Sequence, residues 1–277
     1  MWKKLLKYDF RSLRRFGLPI LVIIAAAGLL GAGGIAGLIL SLRANLQLAP
    51  LLTTVFMLLL SLVFMVIGLG MAGIGVAILV DYYKTLATDE AYLTFTLPVR
   101  PREILWSKLL NSCIWSTIVT LASFFVGGIM LLVGLGVGGV LPEALAGFRE
   151  MLVALFHDAP LPVYSLGLLG VILFVTFAVN NQLLVFMAIF LGSVIAKKNK
   201  LLWSIGSVIV VNMVYSTVTS LVQTLCIIPM ITADATGGNV LVALHITLIS
   251  YILLLTALSV LFFKLTEKMM EKRLNLA

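Results

Sequence analysis

The sequence predicts an all-α integral membrane protein with six transmembrane helices, and two observations carry that reading. Six apolar stretches, near Gly17–Leu40, Thr53–Val80, Leu109–Leu135, Leu166–Ala196, Leu201–Met230 and Val240–Phe263, are each long enough to cross a bilayer as a helix. All 19 Lys and Arg lie outside these stretches and fall almost entirely on alternate sides. Six are N-terminal (Lys3, Lys4, Lys7, Arg11, Arg14, Arg15) and four follow the second stretch (Lys84, Arg100, Arg102, Lys108). Three follow the fourth (Lys197, Lys198, Lys200) and four follow the sixth (Lys264, Lys268, Lys272, Arg273), leaving Arg43 and Arg149 opposite. Basic loops stay inside, so both termini are expected in the cytoplasm, in agreement with an even number of spans.

Composition excludes most other classes. With 62% hydrophobic and 11% charged residues, no stretch is left for a sizeable soluble domain. The net charge of +8 would suggest nucleic acid in a soluble chain. Here the cations flank spans, so the expected partner is membrane lipid through its anionic headgroups, with no nucleic acid. Cys113 and Cys226 fall in different spans near opposite faces of the bilayer. They are expected to be buried free thiols, with neither a disulfide nor a metal site.

Residues 1–16 form the first expected element. At about 100° per residue, the six N-terminal cations share one arc, opposite Trp2, Leu5, Leu6, Leu13 and Phe16. That pattern suits a helix lying in the cytoplasmic interface. Asp9 violates it, falling in the middle of the apolar face, and a carboxylate there needs a partner. The expected partner is a basic residue of the 81–108 segment or of another subunit; otherwise the helix must roll to keep Asp9 among headgroups. The basic head, the run Leu18–Ile24 and Ala25-Ala26-Ala27 look like a signal peptide, but the apolar stretch continues to Leu40 and is expected to be retained as a span.

Several motifs carry no chemistry in their setting. Gly68-Leu-Gly70-Met-Ala-Gly73 and Gly134-Leu-Gly136-Val-Gly138-Gly139 satisfy G-x-G-x-x-G, yet one lies within a span and the other at a span end. Neither has the strand–turn–helix context of a nucleotide loop. These glycines, with Gly33-xxx-Gly37 and Ser112-xxx-Ser116, are expected to let helices approach closely. No phosphate-binding loop, nucleophile elbow or zinc-protease motif occurs. His157 in an outer loop and His245 near the outer end of the last span are expected to be structural, so no catalytic residue is assigned.

Ion pumps and secondary transporters keep charged residues at membrane depth, and the apolar stretches here contain none. Their polarity comes from amides and hydroxyls. In the fifth span Asn212, Ser216, Thr219 and Gln223 recur within about 60° of one another. They either bond to neighbouring helices or line a cavity for an uncharged or amphipathic solute. Asn180, Asn181 and Gln182 in the fourth span admit the same two readings, with helix packing favoured over contact with a solute. Between the third and fourth spans, Leu141, Leu145, Phe148, Leu152 and Leu155 mark the face of a short outer interfacial helix, with Pro142 in its first turn.

The segment from Asp81 to Lys108 is the most specific feature. Thr88-Asp89 caps a short helix carrying Glu90, Tyr92, Leu93 and Phe95, which Pro98 ends, and Pro101 starts the next helix. Tyr92, Leu93 and Phe95 form an apolar tip that a monomer gains nothing by exposing; it is either an interfacial loop touching lipid or, the better reading, a docking element for a soluble partner.

At these residues the chain resembles the type-2 ABC permeases, membrane subunits of ABC exporters common in Gram-positive bacteria. The shared pattern, T-D-E-x-Y-L-T-F-T-L-P-V and then S-K-L, runs here from Thr88 to Val99 and from Ser107 to Leu109. Lys7-Tyr8-Asp9-Phe10 before a basic cluster is similar too. The resemblance implies a type-2 ABC permease-like fold, with a permease domain over 17–263 and a cytoplasmic tail over 264–277. It implies pairing with a second permease copy, identical or a paralogue, above two separate ATPase subunits that supply ATP and Mg2+ chemistry. In it, the Asp89–Phe95 segment is the coupling helix, with Thr88 and Pro98 at its limits, and the second and fifth spans line the cavity. The implied activity is export of a hydrophobic or amphipathic peptide, toxin, drug or lipid across the bacterial plasma membrane. The alternatives are an intramembrane lipid-modifying enzyme, which lacks an acid, base or metal ligand at depth, and a non-ABC transporter or channel.

Overall fold

The computed structural model describes residues 2–43, 48–87, 100–158, 161–196, 199–235 and 240–274. Among these residues the chain is α-helical with no strand. The helices are α1 (Trp2–Arg43), α2 (Ala49–Ala87), α3 (Pro101–Gly138), α4 (Leu141–Val153), α5 (Leu161–Ile195), α6 (Lys200–Ala235) and α7 (Val240–Leu274), with a π-helical turn over Ala154–Asp158. Six of them are long and apolar enough to cross a membrane, all but α4. The protein is an all-α, multi-pass membrane protein.

Each long helix extends past the apolar stretch that predicted it. The separate interfacial helix expected over 1–16 is instead the first part of α1, which runs unbroken from Trp2 to Arg43 with Pro19 inside it. Gly17 does not break it, because packing requires that glycine: a Cβ there would collide with the Trp115 ring. The face expected to be apolar is the covered one over much of its length, with Leu13 buried and Arg11, Arg14 and Arg15 exposed. Phe16 departs from it and is exposed.

The chain forms two compact units. The first comprises residues 10–78 and 114–159. Its core joins Ala27, Val63 and Met130, one residue from each of α1, α2 and α3. Glycines at every third position of α1 make this approach possible: Gly28 meets Val126, Gly31 meets Met130 and Val63, Gly34 meets Leu59, and Gly37 meets Phe56. A spacing of three drifts slowly around the helix, so the row begins against α3 and ends against α2. Of the expected pair Gly33-xxx-Gly37, Gly33 faces open space, and Gly34 is the packed neighbour. Gly70 and Gly134 also pack closely, against Ile24 and Ile35, whereas Gly68 packs against nothing.

At the end of α3 the chain turns through Gly139, whose φ of +73° is the left-handed conformation that glycine adopts without strain. Val140 N–H donates to the Leu135 carbonyl (3.1 Å) and Gly139 N–H to that of Gly136 (3.1 Å). The Arg43 guanidinium donates to the Gly138 carbonyl, placing a cation at the negative end of the helix dipole. Beyond it, α4 has Pro142 in its first turn and no buried residue, with Leu145 and Phe148 exposed.

The second unit comprises residues 1–9, 79–113 and 160–277, in which α5, α6 and α7 pack on one another. The α5–α6 contact is close because Gly192 sits against Ser204 and Ser207, with the Trp203 carbonyl 2.5 Å from where a Cβ would stand. Ser207 Oγ reaches back to the Ala188 carbonyl at 2.6 Å. His245 is held at both ring nitrogens, with Nε2 2.6 Å from Ser165 Oγ and Nδ1 2.7 Å from the Leu241 carbonyl. Cys113 and Cys226 are free and half-buried.

Candidate functional site

Within the second unit, the starts of α1 and α3 meet the end of α2 at one buried ammonium. Lys108 Nζ lies 2.8 Å from Asp9 Oδ1 and 2.7 Å from Asp81 Oδ2. Ser107 donates its hydroxyl to Asp9 Oδ2 at 2.6 Å. The lysine side chain is 6% exposed and the two carboxylates 15% and 9%. Burial at this level makes the pairing obligatory, since an unpaired charge in so little water is costly. The partner of Asp9 is therefore Lys108, from the 81–108 segment.

The cluster stands at the very margins of the apolar stretches. Asp81 directly follows Val80, and Lys108 directly precedes Leu109, so each lies one residue outside an apolar stretch. Both belong to helices that continue beyond those stretches. Pairing makes their burial tolerable.

Beside the cluster, Tyr82 stacks on Phe186 with ring centroids 4.1 Å apart and planes within 2°. Both side chains are fully buried. The Tyr82 hydroxyl and Asn111 Oδ1 have no hydrogen-bond partner among the described residues. Asp81 and Lys108 also bracket the proposed coupling segment. Its residues Thr88, Asp89, Glu90, Tyr92, Leu93, Phe95 and Pro98 lie outside the described residues. What is described is its base: α2 continues to Ala87 and α3 begins at Pro101, with the Lys108–Asp81 pair between them.

A second polar group ties α5, α6 and α7 together. Asn180 Nδ2 donates to the Leu255 carbonyl and to Ser259 Oγ, each at 3.0 Å, and its Oδ1 accepts from the Tyr215 hydroxyl at 2.5 Å. Asn180 is thus a helix-packing group. Asn181 is exposed and Gln182 half-buried.

The fifth-span stripe is divided. Asn212, Ser216 and Gln223 are exposed on the surface of the chain, whereas Thr219 is buried and donates to the Tyr215 carbonyl at 2.7 Å. The covered face of α6 contains Ser204, Tyr215 and Thr219, so the stripe runs along its edge and Thr219 falls on the packed side. Val218 and Leu221 are exposed as well.

No family model, curated protein or solved structure matches the chain. The cluster and the seam therefore stand on their own geometry. Among the described residues no group of three His, Cys, Asp or Glu is arranged to hold a metal. The chemistry available at the cluster is electrostatic: one cation holds three helix ends in register. Sequence reasoning missed Asp81, Ser107 and Lys108 as members of one site. The legible signal was an acid and a base at equivalent places, one just past the second span and one just before the third.

Proposed function

We propose that this chain is the membrane subunit of an ATP-driven exporter of the type-2 ABC permease kind. Two such chains, or this chain and a paralogue, pair above two separate ATPase subunits, and a hydrophobic or amphipathic peptide, toxin, drug or lipid leaves the cell. The termini and the 88–99 segment face the cytoplasm of a bacterial plasma membrane, as the distribution of basic residues suggests.

The observation that carries this reading is the buried Lys108–Asp81 pair, 2.7 Å long, joining the two helices that flank the 88–99 segment. A loop that passes on the motion of another chain needs a stiff base, and charges buried at 6% and 9% exposure supply one. Asp9 on the same ammonium adds α1 to that base. The sequence pattern from Thr88 to Pro98, with its apolar tip at Tyr92, Leu93 and Phe95, supports the choice of an ATPase as the chain that docks there.

The test replaces Tyr92 and Leu93 by Ala. Burial of the two side chains in an ATPase groove is worth ~2–4 kcal/mol before ordering costs. The double variant should insert and fold normally but lose a co-purifying ATPase chain, or leave ATP hydrolysis no longer stimulated by substrate. Normal association together with wild-type export would refute the coupling role.

A further inference from the structure

A cleft of about 310 Å³ opens between α3, α5 and α7 in the second unit. Its floor is Leu109, Leu183 and Ser259, all buried, and its walls include Val260 and the Trp106–Phe263 pair, whose ring centroids are 5.3 Å apart. At the rim stand Arg102, Lys264 and Glu267. Neither cation has an ion-pair partner among the described residues. Arg102 also sits in the first turn of α3, where a helix dipole disfavours a cation, so helix stability does not account for it.

These features are layered as a phospholipid is. An apolar trough fits an acyl chain, a tryptophan suits the membrane interface, and two cations suit headgroup phosphates. We infer that this cleft binds one anionic phospholipid from the leaflet on the basic side of the membrane. The phosphate lies between Arg102 and Lys264, and one acyl chain runs along Leu109, Leu183 and Val260. Glu267 accepts hydrogen bonds from headgroup hydroxyls such as those of phosphatidylglycerol. The rim carries two cations against one anion, and this excess selects a net negative lipid over a zwitterionic one. The inference rests on the cleft alone and does not require the exporter reading.

The experiment uses the full chain in nanodiscs of phosphatidylcholine doped with phosphatidylglycerol, the latter brominated on its acyl chains. Two readouts are taken: quenching of Trp106, by difference from Trp106→Phe, and lipid retained through mild detergent extraction, by native mass spectrometry. Phosphatidylglycerol should quench Trp106 and be retained over phosphatidylcholine, with a loss of about fivefold for each of Arg102→Gln and Lys264→Gln. Arg11→Gln with Arg15→Gln, on an exposed arginine-rich face of α1, should leave both readouts unchanged. Val260→Phe, at a half-exposed wall position, should block the trough without altering the charge and also abolish quenching. The site is refuted if phosphatidylcholine or phosphatidylethanolamine is retained equally well, or if the α1 arginines matter as much as Arg102 and Lys264. Displacement by inorganic phosphate would refute the lipid chain as part of the ligand.

Discussion

Lys108 Nζ stands 2.8 Å from Asp9 Oδ1, joining residues 99 positions apart in the chain. The same ammonium is 2.7 Å from Asp81. Two carboxylates thus share one cation, and the three residues contribute unequally. Lys108→Met removes the buried counter-charge that both carboxylates share, a loss of ~3–5 kcal/mol. Asp9→Asn leaves an intact Lys108–Asp81 pair and should cost clearly less. Combining Lys108→Met with Asp9→Asn removes one of the two carboxylate charges, so the double variant should be more stable than the sum of the single losses implies. Unfolding midpoints of all three variants in one detergent check this, and strict additivity would show that the groups do not act together.

The Asn180 seam should behave differently, because it is neutral and lies between helices. Each hydrogen bond of this kind is worth ~0.6 kcal/mol in a membrane protein, so Tyr215→Phe should be mild. Asn180→Leu removes three bonds, two of them to α7, and should lower the unfolding midpoint more. Tyr82→Phe is the contrasting case. It keeps the stack on Phe186 and deletes a buried hydroxyl with no partner among the described residues, so stability should be unchanged or raised. A large loss on Tyr82→Phe would mean that the hydroxyl is bonded in the assembled protein.

How much of this was legible follows from which signals are local. The six spans were legible because some twenty apolar residues have one economical conformation in a bilayer. Their ends were not, because Asp81 and Lys108 read as loop charges until a partner distant in sequence neutralises them. The polarity of Asp9 against its helix face was visible, and it pointed to a pair; the sequence alone could not tell which cation answers it. The α6 stripe was visible as a periodicity, but its edge depends on where α5 and α7 lie, and this places Thr219 on the covered side. Likewise Gly33 and Gly34 are equivalent as sequence, and only the neighbours of α1 decide that Gly34 is packed.

The α5–α6 contact offers a matched pair of glycine substitutions. At Gly192 a Cβ would stand 2.5 Å from the Trp203 carbonyl and 2.6 Å from Ser204 Cα, both backbone atoms that cannot turn aside. Gly192→Ala must therefore push the helices apart and should cost ~1–3 kcal/mol. At Gly206 nothing lies within 4 Å. Gly206→Ala should be neutral or stabilising, because alanine favours the helix by ~1 kcal/mol. A thermal-shift comparison of the two decides it, and equal effects would count against this packing.

The α6 stripe yields the last prediction, on whether Asn212, Ser216 and Gln223 face a water-filled path. All three are exposed on the chain, but so are Val218 and Leu221, so exposure alone does not distinguish a path from lipid. Reactivity toward a charged thiol reagent does, because such a reagent works only where water reaches. With Cys113 and Cys226 replaced by Ala, a cysteine at Ser216 or Gln223 should react readily and be slowed by a transported compound. Cysteines at Val218 and Leu221 should be inert in lipid. A cysteine at Thr219 should react at least tenfold more slowly than at Ser216, because its position is 8% exposed beneath Tyr215. If all five positions are inert in assembled protein, the stripe is instead covered by another chain, and its amides and hydroxyls serve packing. Uniform labelling of all five would show that α6 has no distinct face, removing the stripe as a transport path.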